Sequence, residues 1–130
     1  MTGSEKRESR GWLVVVDDEP DVAEFMRKAA TGVGFAVHVA DGAADFQRAC
    51  RDLAPAAVIV DIIMPGADGI EIVTWLAERK FRGKVVVISG SQPNYARAAK
   101  MIGESKGGLD IATYPKPISL HDLRAVLATV

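Results

Sequence analysis

The sequence predicts a doubly wound α/β domain, a parallel sheet covered by helices on both faces. Short β-branched runs alternate along the chain with stretches of helical apolar periodicity, so each strand is followed by a helix. The central runs are apolar at consecutive positions, as strands buried on both faces require. At 130 residues with 48% hydrophobic content, the chain can bury one core without disulfides and leaves no room for a second folded domain.

The elements follow in order. Met1 to Arg10 is polar and reads as a flexible tail, which leaves residues 11–130 as the domain. Trp12–Val16 is the first strand, and Pro20 opens a helix with Val22, Phe25, Met26 and Ala29 on one face, stopped by Gly32 and Gly34. Phe35–Val39 is the second strand; Asp41 is placed to cap a helix through about Arg51 that turns Phe46 and Cys50 inward. Ala57–Val60 runs into Asp61, and Asp68 is placed to cap a helix carrying Ile70, Val73, Leu76 and Ala77. Lys84–Ile88 is the fourth strand. The helix after it, about Pro93 to Ile102, has a thin apolar face of Tyr95, Ala98, Ala99 and Ile102, which predicts weak docking. Gly103, Gly107 and Gly108 follow that helix and punctuate the chain; Leu109–Thr113 is the fifth strand, and Ser119 caps a last helix with Leu120, Leu123, Val126 and Leu127 inward.

Charge excludes several functions. Sixteen basic against seventeen acidic residues give no global field toward nucleic acid or an anionic membrane. The first apolar run ends in Asp17 and Asp18, which suits neither a signal peptide nor a membrane span. A lone cysteine, Cys50, forms no internal disulfide and fits a reducing cytoplasmic setting; it lies on the apolar side of its helix and reads as core. His38 and His121 show no metal-ligand spacing and take no role.

In doubly wound sheets ligands bind beyond the carboxyl ends of the strands, where strand order reverses. The first strand is followed by Asp17, Asp18 and Glu19, the third by Asp61, the fourth by Ser89 and the fifth by Lys116. Two carboxylates about 4 Å apart repel by roughly 1 kcal/mol in water and about 4 kcal/mol at a partly buried surface, so such a group requires a cation beyond Lys116. A hard divalent ion with oxygen ligands, Mg²⁺ above all, answers that need and suits phosphoryl transfer to an exposed carboxylate. Asp61 is then the nucleophile, with Ser89 and Lys116 available to phosphoryl oxygens. Helix-start charge alone, about 0.3–1 kcal/mol per acid, does not account for convergence on Asp61.

Four segments in order, Val14-Val15-Val16-Asp17-Asp18-Glu19, Val58-Ile59-Val60-Asp61-Ile62-Ile63-Met64-Pro65-Gly66-Ala67-Asp68-Gly69, Val87-Ile88-Ser89-Gly90 and Lys116-Pro117, resemble the CheY-like receiver domain of bacterial response regulators. The resemblance covers about residues 11–130 and implies strand order 2-1-3-4-5. It implies that Asp61 accepts phosphate from a sensor histidine kinase or histidine phosphotransferase. Asp18, Asp61 and the backbone carbonyl of Ile63 would ligate Mg²⁺ directly, and Asp17 largely through water. Ser89 stands at the switch-hydroxyl position and Lys116 at that of the family lysine, with Lys116–Pro117 expected cis. The output face would be the fourth helix, fifth strand and fifth helix, serving a downstream output domain or protein and compatible with a homodimer. The molecule would be a switch rather than a turnover enzyme, with no nucleic-acid or membrane binding of its own.

Two departures bear on signalling. The position three before the lysine, commonly aromatic, is Thr113, and Tyr114 next to it must point to the opposite face. Gly90 stands where alanine is more typical. These features keep a phosphorylation-independent interaction module as the alternative. A phosphatase of the haloacid-dehalogenase kind needs a second aspartate two residues after the nucleophile, where this chain has Ile63. A flavodoxin-like flavin site is disfavoured by the acidic first turn.

Overall fold

A computed structural model describes residues 10–61, 68–90 and 93–130. The first nine residues of the expected tail, together with Ile63 and the Met64-Pro65-Gly66 segment, lie outside them. The strands are β1 (Trp12–Val16), β2 (Ala36–Ala40), β3 (Ala57–Asp61), β4 (Lys84–Ser89) and β5 (Asp110–Pro115). The helices are α1 (Pro20–Val33), α2 (Ala43–Leu53), α3 (Asp68–Glu78), α4 (Pro93–Gly107) and α5 (Leu120–Leu127). All four strand pairings are parallel, in the order β2-β1-β3-β4-β5.

Alternation along the buried strands divides the core in two. Val14, Val16, Val58, Val60, Val85 and Val87 pack with residues of α2, α3 and α4. Leu13, Val15, Ile59, Val86 and Ile88 pack with residues of α1 and α5. Ala57–Val60 of β3 and Val85–Ile88 of β4 are buried without a break and meet helices on both sides, which is why these stretches are apolar at every position.

Local chemistry sets the ends of the elements. Pro20 occupies the first position of α1, where its missing N–H costs nothing. Gly34, at φ 115°, closes α1 by donating to the Ala30 and Thr31 carbonyls; Gly32 stays inside the helix. Ser119 caps α5 by accepting the Asp122 N–H at 2.9 Å. Arg10, at the end of the expected tail, donates from Nε to the Val33 carbonyl at 2.8 Å and so ties the chain to the end of α1.

Three expectations change. Asp41 does not cap α2: the cap is Gly42 at φ 98°, and Asp45 in the first turn accepts the Asp41 N–H at 2.8 Å. A left-handed glycine delays helix entry by one residue, and Asp45 reaches back past it to the residue before the cap. Helix α4 continues five residues past Ile102, to Gly107, because Gly103 faces Leu109, Ile111 and Val73 at close range and is an interface residue rather than a stop. Its buried face is Ala96, Ala99 and Gly103, while Tyr95 is exposed. The face is thin, as expected, but small residues bring α4 into close contact with α3: a Cβ at Gly107 would collide with the Ala77 backbone. Finally, β5 starts one residue later and runs two further than expected, placing Pro115 beside Ser89.

Candidate functional site

The carboxyl ends of β1, β3, β4 and β5 bring Asp17, Asp61, Ser89 and Lys116 to one edge of the sheet. Asp61 is the last residue of β3 and has no exposure, so the exposed carboxylate expected from the sequence is corrected to a buried one; its register partner on β4 is Ile88, and the buried Ser89 stands one residue beyond it. The Lys116 N–H donates to the Ser89 carbonyl at 2.6 Å, and Lys116–Pro117 is cis, as the resemblance implies. The lysine side chain crosses the end of the sheet. Its Nζ donates to Asp61 Oδ2 at 3.2 Å and lies 3.7 Å from Glu19 Oε1 and 3.9 Å from Asp17 Oδ2.

The turn after β1 decides which acids face inward. Asp17 Oδ1 accepts the Glu19 N–H at 2.8 Å, an Asx turn that folds the chain back over two residues. Pro20 holds Glu19 extended, at φ −102° and ψ 113°. Asp18, at the bend, is exposed. Carboxylate oxygens of Asp17, Glu19 and Asp61 all lie within 4.8 Å of one another, and Asp18 is not among them. Sequence reasoning included Glu19 in the acidic run but gave it no role at the cation. The signal available was the Asp-x-Glu-Pro order, which favours the side-chain turn.

Asp17 Oδ2 is the one buried side-chain oxygen or nitrogen among the described residues with no hydrogen-bond partner. It faces Asp61, and two carboxylates can satisfy each other only through a shared proton or an intervening cation. Burial pushes the Asp17 carboxyl up to about 7; Asp61 adds to the rise, while the Glu19 N–H and Lys116 oppose it. Hard oxygen donors converging on an unsatisfied buried carboxylate fit a Mg²⁺-type ion.

This shift has a definite sign in stability. Between the ordinary 3.8 and about 7, the folded chain holds a proton that the unfolded chain has released, so the stabilisation present below that window is lost as pH rises through it. With a chelator present, thermal unfolding is expected at a lower temperature at pH 8 than at pH 5.5, and Mg²⁺ should reduce the difference. A chelated protein with no loss across this range would refute the buried, uncompensated Asp17.

Elsewhere the structure is quieter. Cys50 packs against the core and burial pushes its thiol up to about 12, which makes it unreactive. His38 Nε2 lies 3.3 Å from Asp45 Oδ1, away from the acidic group. Thr113 pairs with Val87 in register, whereas Tyr114 packs with the α1 and α5 side of the core. Tyr114 therefore does not replace the aromatic residue expected at Thr113. No helix among the described residues is long and apolar enough to cross a membrane.

Comparisons with known proteins agree with this fold. The family profile of the response regulator receiver domain matches residues 13–128. Response regulator MprA of Mycobacterium leprae is 29% identical over 117 residues, covering 87% of this chain and 47% of the relative. The DNA-binding response regulator MtrA of Mycolicibacterium smegmatis is 35% identical over 60 residues, 46% of this chain and 26% of its own length. The chain thus spans about half, or less, of the length of these curated relatives. The receiver domain of NtrX from Brucella abortus superposes with a TM-score of 0.74 at 24% identity, covering 91% of this chain and 98% of that one. A CheY-like receiver domain from Methanospirillum hungatei gives 0.76 at 17% identity over 93% of both chains. The acidic edge of a 2-1-3-4-5 sheet and the family match lead to one conclusion: the chain belongs to the response regulator receiver domain family of two-component signalling.

Proposed function

We propose that Asp61 is the phosphoacceptor of this receiver domain, residues 11–130, and that phosphorylation requires Mg²⁺. The observation that carries this reading is a fully buried Asp61 carboxylate, 3.2 Å from Lys116 Nζ at the end of the central strand, facing an Asp17 Oδ2 that has no hydrogen bond. The cation site would comprise Asp17, Asp61 and a further acid of the turn after β1, which the resemblance assigns as Asp18. The resemblance adds the Ile63 carbonyl, which lies outside the described residues. Bound there, the metal would neutralise charge on the phosphoryl group in transfer.

An Asp61 carboxylate oxygen attacks the phosphorus of a phosphohistidine; the new P–O bond forms as the P–N bond breaks, and the imidazole nitrogen leaves with a proton from solvent. Lys116 Nζ then pairs with a phosphoryl oxygen, and the Ser89 hydroxyl donates to another. The donor would be a sensor histidine kinase or a histidine phosphotransferase. Beside Lys116 a largely apolar groove of about 320 Å³, lined by Val22, Phe25, Pro117 and Ile118 among others, offers such a donor a contact surface. Output would pass through α4, β5 and α5 to a downstream domain or protein. Because Thr113 and Tyr114 occupy opposite faces, that output does not use an aromatic side chain at position 113.

Beryllofluoride, a phosphoryl mimic, is expected to bind the wild type only with Mg²⁺ present and to leave Asp61→Asn unbound, as read by fluorine NMR. A wild type that fails to bind it would sink the reading and favour a phosphorylation-independent module.

A further inference from the structure

We infer that a cavity at the amino edge of the sheet, at the opposite end of β3 from Asp61, binds a small organic anion: a flat apolar body carrying a carboxylate or phosphate. The cavity holds about 400 Å³, within the roughly 300–1,000 Å³ of small-molecule pockets. It lies between the ends of α2 and α3, where the chain enters β3 and β4. Its apolar walls include Cys50, Pro55, Trp75 and Phe81, and its rim carries Arg79, Lys80 and Arg82.

The walls are held in place before any ligand arrives. Trp75 meets the buried Phe46 edge to face, with ring centroids 6.4 Å apart. Phe81 packs against the core, close enough to Gly83 that a Cβ there would collide with its ring. The Lys80 N–H donates to the Ala77 carbonyl and the Phe81 N–H to that of Leu76, a Schellman turn that puts Lys80 where glycine is usual. Ala54 and Lys80, at φ 47° and 53°, are the two non-glycine residues of positive φ among the described residues, and both line the cavity. Left-handed backbone is unfavourable for a residue with a Cβ, and such strain collects at ligand sites. At position 80 it places a cation on the rim that glycine would not supply.

Charge selects the ligand. Arg79, Lys80 and Arg82 are exposed and have no carboxylate partner among the described residues. Glu78, next to Arg79 in sequence, pairs instead with Lys106 at 3.9 Å. Three cations without an internal counter-charge, in a chain of net charge −1, make a local field for an anion. Cys50 registers that field: burial raises its thiol, while Arg79 and Arg51 oppose the rise. The Arg79 guanidinium carbon lies over the Trp75 ring, 4.8 Å from its centroid. Stacking of this kind leaves the in-plane N–H donors free for a carboxylate or phosphate. An apolar body on the walls and an anionic group at the rim are thus recognised together.

The test is a proton–nitrogen NMR titration of the full chain in EDTA with naphthyl phosphate, naphthoate, the neutral naphthalenemethanol and inorganic phosphate. Both aromatic anions are expected to shift amides of residues 50–54 and 75–83 saturably, with the alcohol and inorganic phosphate at least about tenfold weaker. Arg79→Gln combined with Arg82→Gln should weaken the anions about tenfold or more and leave the alcohol within about twofold. Both residues are exposed, and circular dichroism checks the fold. Arg97→Gln, which removes a charge from the exposed surface of α4, should bind as wild type does. Saturable binding of either anion at these amides supports the site, and the tighter of the two identifies the head group. No saturable shift up to about 1 mM, an alcohol that binds as well as the anions, or shifts centred on Asp61 and Lys116 would overturn it. So would a folded double variant with unchanged affinity.

Discussion

Lys116→Met is expected to move three measurable properties in directions that no simple packing defect would produce together. Lys116 Nζ lies within 3.9 Å of Asp17, Glu19 and Asp61 and is the one lysine or arginine paired with them among the described residues. Methionine keeps most of the length and apolar stem of lysine but removes the charge. Without a metal, the chelated protein at pH 8 should lose about 2 kcal/mol of stability, because carboxylates stripped of a mostly buried counter-ion repel or must take up protons. Mg²⁺ binding should tighten, by about tenfold, since the ion no longer competes with an ammonium for the same oxygens. Phosphorylation from a small donor such as acetyl phosphate should nevertheless slow by about a hundredfold or more, because the phosphoryl group loses a preorganised cation in transfer. Chemical denaturation with EDTA, Mg²⁺ titration and an acyl-phosphate assay read the three effects. Weaker Mg²⁺ binding in Lys116→Met would show that the lysine supports the site rather than competing for it.

The second large effect concerns α3 and α4, the helices after β3 and β4. A Cβ on Gly107 would come within 3.0 Å of the oxygen, α-carbon and carbonyl carbon of Ala77. All three are backbone atoms, so no rotamer change relieves the contact and the helices must separate. Gly107→Ala is therefore expected to cost about 3 kcal/mol, or about 10 °C in Tm, despite alanine's better helix propensity. Two glycine variants isolate the cause. Gly108→Ala has open space around it and φ +62°, so it should cost only the left-handed backbone penalty of about 1 kcal/mol. Gly32→Ala meets the end of the Arg124 side chain, which can move aside, and should be nearly neutral. A Gly107→Ala protein as stable as Gly32→Ala would disprove the close approach. The contact also alters the expectation of a loosely held α4. A helix can have a thin apolar face and still pack tightly when glycine and alanine let backbones meet.

Much of this protein is set by local pattern. Strand and helix alternation, the unbroken apolar runs of β3 and β4, and the residues following each strand place Asp17, Asp61, Ser89 and Lys116 at one edge, because a right-handed parallel sheet leaves its carboxyl ends together. Strand parity likewise separates Thr113 from Tyr114 without any knowledge of their neighbours. The remaining features depend on contacts between segments or on a choice among near-equivalent groups. Gly103 reads as a stop until Val73, Leu109 and Ile111 are packed around it. Asp41 reads as a cap until Gly42 turns left-handed and Asp45 reaches back. Asp18 and Glu19 are adjacent acids with similar chemistry, and composition cannot rank them. A side-chain bond from Asp17 to the Glu19 N–H, worth about 1–3 kcal/mol as a charge-assisted contact, turns one toward Asp61 and Lys116 and the other to solvent. The acidic edge was thus determined by sequence, while the choice of which acids meet there was left to the tertiary structure, where a few hydrogen bonds separate alternatives that are almost equal in the unfolded chain.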